Sequence, residues 1–207
     1  MIALDRGESP PQTAEDFSGL CCMGGPMSVN DDLPWIDPVC ALIRDAAARD
    51  IPVIGHCLGG QLIAKAFGGE VRGNPCSEIG WSRMTGNTDE TSRRWLGAFA
   101  GTTMDIFQWH GETFSLPEEA VLLASSEACP RQMFAIGPHL AMQGHVEMLP
   151  EMIAAWCAHW EEDTAHLAPQ PTVQTPRAIH AGTAEKLPAL RRLADQLYGV
   201  WIEGLRR

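Results

Sequence analysis

Along the chain, short blocks of consecutive apolar residues alternate with stretches whose apolar positions recur at helical spacing. The first block, residues 17–23 (FSGLCCM), reads as a buried strand ending at Gly24-Gly25-Pro26. After a loop, Asp37-Pro38 reads as a helix start, with Asp as N-cap and Pro at the first helical position. Val39, Leu42, Ile43 and Ala46 then fall at i, i+3, i+4 and i+7, and the helix ends near Asp50. Residues 51–54 (IPVI) form a short continuous apolar run, as expected for a strand covered on both faces. Residues 58–67 are the next helix, stopped by Gly68-Gly69. Strand, helix, strand, helix predicts an α/β fold: a mostly parallel central sheet sandwiched between two helical layers.

The middle of the chain is richer in strands. Candidates are residues 70–72, 79–84, 104–108, 121–125, 133–136 and 140–143, with a less periodic helix at 91–99 and a further helix at 150–161. Residues 164–182 are rich in Pro, Thr and Ala and read as a loop or linker. Residues 185–205 read as an amphipathic helix, with Leu187, Leu190, Ala194, Leu197 and Trp201 on one stripe. The expected organisation is a domain over residues 1–162, a linker over 163–184 and a C-terminal helix over 185–207. Three roles stay open for that helix: packing on the core, covering a sheet edge, or forming a homodimer.

Charge narrows the partners. With 207 residues and a formal net charge of −11, the protein is expected to bind neither nucleic acid nor an anionic membrane, because phosphates are repelled. No apolar run approaches the roughly 18 residues that span a bilayer, and the N-terminus lacks the basic and apolar regions of a signal peptide, so the cytoplasm is the default location. Seven cysteines, none in a C-x-x-C pair, read as reduced thiols. No pair of histidines has the H-x-x-x-H spacing of a helical metal site, and neither a metal nor a cofactor is expected.

One corner carries chemistry. Gly55-His56-Cys57-Leu58-Gly59 is G-x-C-x-G between a predicted strand and a predicted helix, the nucleophile-elbow pattern with Cys in place of Ser. A residue on such a turn projects above the sheet, the glycines allow close backbone approach, and the helix N-terminus favours a thiolate. The Leu58 N–H is then free to donate to an oxyanion. A buried cysteine is more often a small hydrophobe, and only the neighbouring pattern lifts Cys57 above that reading. A cysteine nucleophile needs a base, and the base an orienting group. His145 and Glu147 stand two apart at the end of an apolar strand, so both point to one side. Glu147 can then fix the imidazole and leave its other nitrogen for Cys57. His56 is expected to point elsewhere along the turn, and His139 to sit in a turn. Trp156, Trp160 and Trp201 read as packing residues on helix faces, whereas Trp35 and Trp109 are expected near the pocket.

Together these pieces resemble the class I glutamine amidotransferase family. GHCLGGQ at 55–61 looks like its G-x-C-x-G-x-Q box, MGGPMSV at 23–29 like its glycine loop, and GHVEM at 144–148 like its H-P-E box, with Val146 where Pro is usual. FQWHGETFSLP at 107–117 and SEIGW at 77–81 resemble a stand-alone branch related to the glutaminase part of GMP synthetase, with Glu112 where Asp is usual. The resemblance implies a flavodoxin-like fold and a Cys57–His145–Glu147 triad that attacks the side-chain amide of glutamine. It further implies Gly25 and Leu58 as oxyanion donors beside Gly24, Gln61 next to the elbow, and the Trp109-His110-Gly111 backbone as holder of the substrate's amino-acid end. Family members begin with a strand and helix of roughly 25–30 residues before this chain starts. Residues 1–4 are thus expected to be the family's second strand, and the sheet to lack its first strand and helix; a mis-set start codon or a truncated variant would account for this.

The expected function is a cysteine amidohydrolase or amidotransferase acting on glutamine through a γ-glutamyl thioester, with released ammonia passing to a partner protein. The alternatives are a γ-glutamyl peptidase with the same triad and a wider pocket, and a non-catalytic binding or regulatory subunit.

Overall fold

The apolar run before Cys57 becomes β2 (Val53–His56), buried along its whole length. It lies between β1 (Leu20–Cys22) and β7 (His139–Met142), parallel to both. The computed structural model describes residues 1–160, 164–167 and 169–205. Beyond β7, the sheet continues through β6 (Met133–Ile136), β5 (Val121–Ser125), β3 (Val71–Gly86) and β4 (Thr103–Phe114), giving the order β1-β2-β7-β6-β5-β3-β4. Those four further pairings are all antiparallel. Parallel pairing is therefore confined to β1, β2 and β7, and the α/β sheet is mixed.

Alternation along the strands builds two cores. Val53, Phe134, Ile136 and Ala141 face one side, where α1 (Ile36–Ala48) contributes Val39 and Ile43 and α2 (Leu58–Ala66) contributes Leu62 and Ile63. Ile54, Met133, Ala135, Leu140 and Met142 face the other side. There α3 (Glu90–Leu96) contributes Trp95 and Leu96, α4 (Pro150–Ala158) contributes Ile153 and Cys157, and α5 (Pro176–Glu203) contributes Ile179, Leu187, Leu190 and Leu197. The result is the expected three layers.

Several elements differ from expectation. Residues 17–23 are not a buried strand: β1 keeps only Leu20–Cys22, Cys21 is exposed, and Phe17 and Met23 are large exposed apolar residues. Within this sheet β1 pairs with β2 alone, so one edge of it is unpaired. Residues 1–4 form no strand; Leu4–Arg6 is a single 3-10 turn, closed by Gly7 at φ +86° and by the Glu8 carboxylate accepting from the Ala3 N–H at 2.9 Å. The segments at 70–72 and 79–84 join into one strand, with an irregularity between Gly73 and Glu78 around Pro75.

The residues read as linker are docked. Ile79 exchanges backbone hydrogen bonds with Thr172 and Gln174 at 3.0 Å each. The final helix begins at Pro176 because Thr175 caps it and Pro occupies its first turn, a start signal hidden in a Pro- and Thr-rich stretch. Its apolar stripe lies on the core, which settles the first of the three roles considered for it. The end of the helix predicted at 150–161, part of the 162/163 boundary and the Arg206-Arg207 end lie outside the described residues.

Candidate active site

Cys57 sits where β2 hands over to α2, at φ +49° and ψ −109°. A non-glycine residue in this region is strained by about 1–3 kcal/mol, so the surroundings must hold it. They do: its N–H donates to the Met142 carbonyl at 2.8 Å and its carbonyl accepts from the Gln61 N–H at 2.9 Å. Close approach of α2 to the sheet locks the corner. A Cβ at Gly59 would overlap the Cys22 carbonyl, and one at Gly60 the Met142 carbonyl.

The segment leaving β7 supplies the other two predicted residues. The His145 N–H donates to the Phe107 carbonyl at 2.8 Å, tying this exit to β4. His145 Nδ1 lies 2.6 Å from Glu147 Oε1, while its buried Nε2 has no hydrogen-bond partner. A Cβ at Gly24 would meet His145 Cε1 at 3.0 Å and Cys57 Cβ at 3.6 Å, so imidazole and thiol flank the same small space. Burial alone would lower the basicity of His145, but the nearby Cys57 sulfur and the hydrogen-bonded Glu147 carboxylate outweigh it and raise the pKa to about 10. Burial pushes Glu147 upward, yet His145 and then His56 hold it far below the usual carboxylate range.

The remaining predicted residues gather around this corner. Gly24, Gly25, Gln61, Trp109, His110 and Gly111 line one cavity of about 970 Å³ together with Cys57, His145 and Glu147. Leu58 does not line it, but its side chain lies against Gly25, where a Cβ would meet Leu58 Cδ2 at 3.0 Å. The Trp109 carbonyl is 3.9 Å from Cys57 Sγ. Gln61 Nε2 donates to Gln143 Oε1 at 3.3 Å, and Gln143 Nε2 lies 3.7 Å from Cys57 Sγ. The His110 ring is turned into a buried network: Nε2 is 3.1 Å from Glu78 Oε2, which also accepts from Gln132 Nε2 at 2.8 Å. Glu112 accepts from the Ser28 hydroxyl at 3.0 Å on the cavity wall.

Some readings change. His56 does not point away: its Nδ1 is 3.1 Å from Glu147 Oε2. His139 is a buried strand residue whose Nδ1 accepts from the Val53 N–H at 3.2 Å; burial lowers its pKa to about 4. Trp35 does not line the cavity and packs with the α1–α2 core, whereas Trp156 does line it and meets the His145 ring edge-on at 4.9 Å. Sequence reasoning gave no role to Gln143, two residues before His145, or to Glu78, which lies within the SEIGW segment, and Tyr198 carried no local signal because it arrives on α5. Among the described residues no helix is long and apolar enough to cross a membrane, and no His, Cys, Asp and Glu residues cluster as metal ligands.

Comparison with known proteins agrees with this architecture. A crystal structure of a glutamine amido transferase from Methylobacillus flagellatus superimposes with a TM-score of 0.94 at 44% identity, covering 99% of this chain and 83% of that one. The glutamine amidotransferase-like protein YfeJ of Salmonella typhimurium is 31% identical over 198 residues, 92% of this chain and 82% of its own length. Gamma-glutamyl peptidase 3 of Arabidopsis thaliana is 31% identical over 153 residues, 71% of this chain but only 61% of its own length. The pattern that defines the class-I glutamine amidotransferases matches residues 4–153, a span that holds the elbow, the glycine loop and the His145–Glu147 segment, and the chain belongs to that family.

Proposed function

We propose that the protein is a cysteine hydrolase of γ-glutamyl amides, with glutamine as the simplest substrate. The observation that carries this reading is the strained Cys57 corner facing the His145–Glu147 pair across one small space. In the proposed reaction the Cys57 sulfur attacks the side-chain carbonyl carbon, and the thiol proton passes to His145 Nε2. A base with a pKa of about 10 holds that proton against an ordinary thiol, whose value is about 8.5. His145 then protonates the leaving nitrogen, the C–N bond breaks, and a γ-glutamyl thioester remains. Water, deprotonated by His145, attacks the thioester and releases glutamate and the thiol. Backbone N–H groups of Gly25 and Leu58 are assigned to the oxyanion, and the Trp109-His110-Gly111 backbone to the amino-acid end. Gln143 and Gln61 hold the thiol's surroundings in register.

A second reading concerns the leaving group. The cavity of about 970 Å³ is at the upper end of the roughly 300–1,000 Å³ that suits drug-sized ligands, far larger than glutamine alone needs. Met152 and Trp156 of α4, with Leu167, form an apolar wall beyond the thiol. This supports a γ-glutamyl peptide, whose amine carries a side chain, over free glutamine with ammonia handed to a partner. Intact-mass analysis after incubation with glutamine and with γ-glutamyl dipeptides tests both readings. The expected result is a γ-glutamyl adduct on the wild type and none on Cys57→Ala. No adduct with any γ-glutamyl compound overturns the hydrolase reading, and faster turnover of glutamine than of the peptides overturns the peptidase one.

A further inference from the structure

We propose that His56 and Tyr198 are positioning residues: the Tyr198 phenol, carried on α5, fixes the tautomer of His56, and His56 holds the Glu147 carboxylate from the side opposite His145. The inference rests on the cysteine-hydrolase reading of the site. His56 directly precedes Cys57, is wholly buried, and has a polar group close to each ring nitrogen: Nε2 is hydrogen-bonded, while Nδ1 lies at ion-pair distance from a carboxylate oxygen without hydrogen-bond alignment. Its Nδ1 lies 3.1 Å from Glu147 Oε2 and its Nε2 3.2 Å from the Tyr198 hydroxyl. Each carboxylate oxygen of Glu147 thus has its own imidazole: Oε1 faces His145 at 2.6 Å and Oε2 faces His56. The terminal torsion of a glutamate is broad, so a carboxylate tied at one oxygen swings, and a second tie removes that freedom.

The direction of the hydrogen bonds follows from the phenol. Tyr198 is the single tyrosine of the chain. Its burial, and then the nearby Glu147 and Cys21, push its ionisation above the usual range, so it stays protonated, and in the proposed arrangement it is the donor to His56. In that arrangement Nε2 accepts the phenol hydrogen bond, and the ring hydrogen belongs to Nδ1, the nitrogen 3.1 Å from Glu147 Oε2. The titratable groups around Glu147 are His145 on its own segment, His56 on β2, Cys21 beside it on β1 and Tyr198 on α5. Cys21 is exposed as a residue, but surrounding protein partly desolvates its thiol and, with the Glu147 charge, raises it to about 11, so at neutral pH neither it nor Tyr198 is charged. The two imidazoles alone decide how the carboxylate is held. Orientation of His145 toward Cys57 then depends on a residue 142 positions from His56 in sequence.

Three variants test this: His56→Leu, His56→Asn and Tyr198→Phe, each checked for folding by circular dichroism and thermal unfolding. The asparagine amide places an N–H near that of Nδ1 and serves as the rescue. The readouts are kcat and KM on a γ-glutamyl substrate, the rate of Cys57 alkylation by iodoacetamide at neutral pH, and the NMR titration of the His145 ring. His56→Leu is expected to lower kcat about tenfold or more with KM changed less than about twofold. Tyr198→Phe is expected to lower kcat about two- to fivefold, as for one lost neutral hydrogen bond. Both should slow alkylation and move the His145 titration downward, while His56→Asn stays near wild type. Unchanged kcat and His145 titration in the Leu and Phe variants would overturn the proposal, as would an Asn variant as impaired as the Leu one. If His56→Leu does not fold, the contrast between Tyr198→Phe and His56→Asn decides. If the wild type turns over no γ-glutamyl compound, the hydrolase reading fails, and the alkylation rates and the NMR titration still decide the positioning role.

Discussion

The two halves of the sheet build the site by different means. In the parallel half, β1, β2 and β7 all end at the same edge, and the chain leaving each contributes to the cavity: Gly24 and Gly25 after β1, Cys57 after β2, and Gln143, His145 and Glu147 after β7. This is the edge where open α/β sheets hold ligands. Precision here comes from backbone, through glycines that bring α2 against strand carbonyls and a strained φ that aims one sulfur. In the antiparallel half, the long β3–β4 hairpin supplies a wall, Trp109 to Gly111, held from behind by the buried side-chain network of Glu78, His110, Gln132 and Gln108. At the cavity, hydrogen bonds from the His145 N–H to the Phe107 carbonyl and from the Ser28 hydroxyl to Glu112 tie the two together. The proposed reacting groups thus sit on closely packed main chain, and the proposed substrate wall is backed by side chains that can be retuned singly.

The sharpest way to break this contrast is to remove the sulfur. Cys57→Ala should lower turnover about 10⁴-fold or more, measured on any γ-glutamyl substrate, with little change in the thermal midpoint. Next is the packing beneath it. Gly59→Ala should destabilise the fold by about 3 kcal/mol in urea unfolding, because the added carbon meets the rigid Cys22 carbonyl; a neutral result would mean that α2 is not pressed on β1. The antiparallel half should yield more gently. Glu78→Gln keeps an oxygen for His110 and Gln132 but loses the charge, so a cost of about 1–2 kcal/mol is expected, with KM rising more than kcat falls.

The fourth test is the pH dependence of stability. Glu147, depressed by its partners, stabilises the fold above the ordinary glutamate value of about 4.3, and this is lost as pH falls below that value. His145, raised to about 10, stabilises below about 6.5, and this is lost as pH climbs through 10. His139, lowered to about 4, resists protonation and so costs stability as pH falls from about 6.5 toward 4. Urea midpoints should therefore peak near pH 6.5; a steady rise from pH 5 to pH 10 would contradict these assignments.

What could be read from the sequence was local. The elbow was legible because an apolar strand, two spaced glycines and a helical repeat adjoin in a few residues. The His145–Glu147 pairing was legible because two-residue spacing at a strand end fixes a shared side. The role of His56 was not, since its second partner arrives on α5 and nothing near position 56 signals it. Nor was the docking of residues 170–174 along β3, because Pro- and Thr-rich composition describes a flexible chain and a docked one equally well. Trp156 packs on the core as expected, but its place in the cavity wall was not legible: helical periodicity places a residue on a face and does not say whether that face also meets a cavity.

The final helix also sets a timetable. Its Leu187, Leu190 and Leu197 complete a core whose other members come from β3, β4 and α3, and its Lys186, Thr183 and Gln196 bond to Asp105, Trp81 and the Arg94–Trp95 carbonyls, all separated from it by 81 residues or more. A chain emerging from the ribosome can finish the α1–α2 side early, but the opposite face of its sheet stays open to water until α5 has been made. Closure of such remote contacts is slow. Until then Trp95, Met104 and their neighbours lack the α5 side of their packing, the kind of exposed apolar surface through which an unfinished chain aggregates.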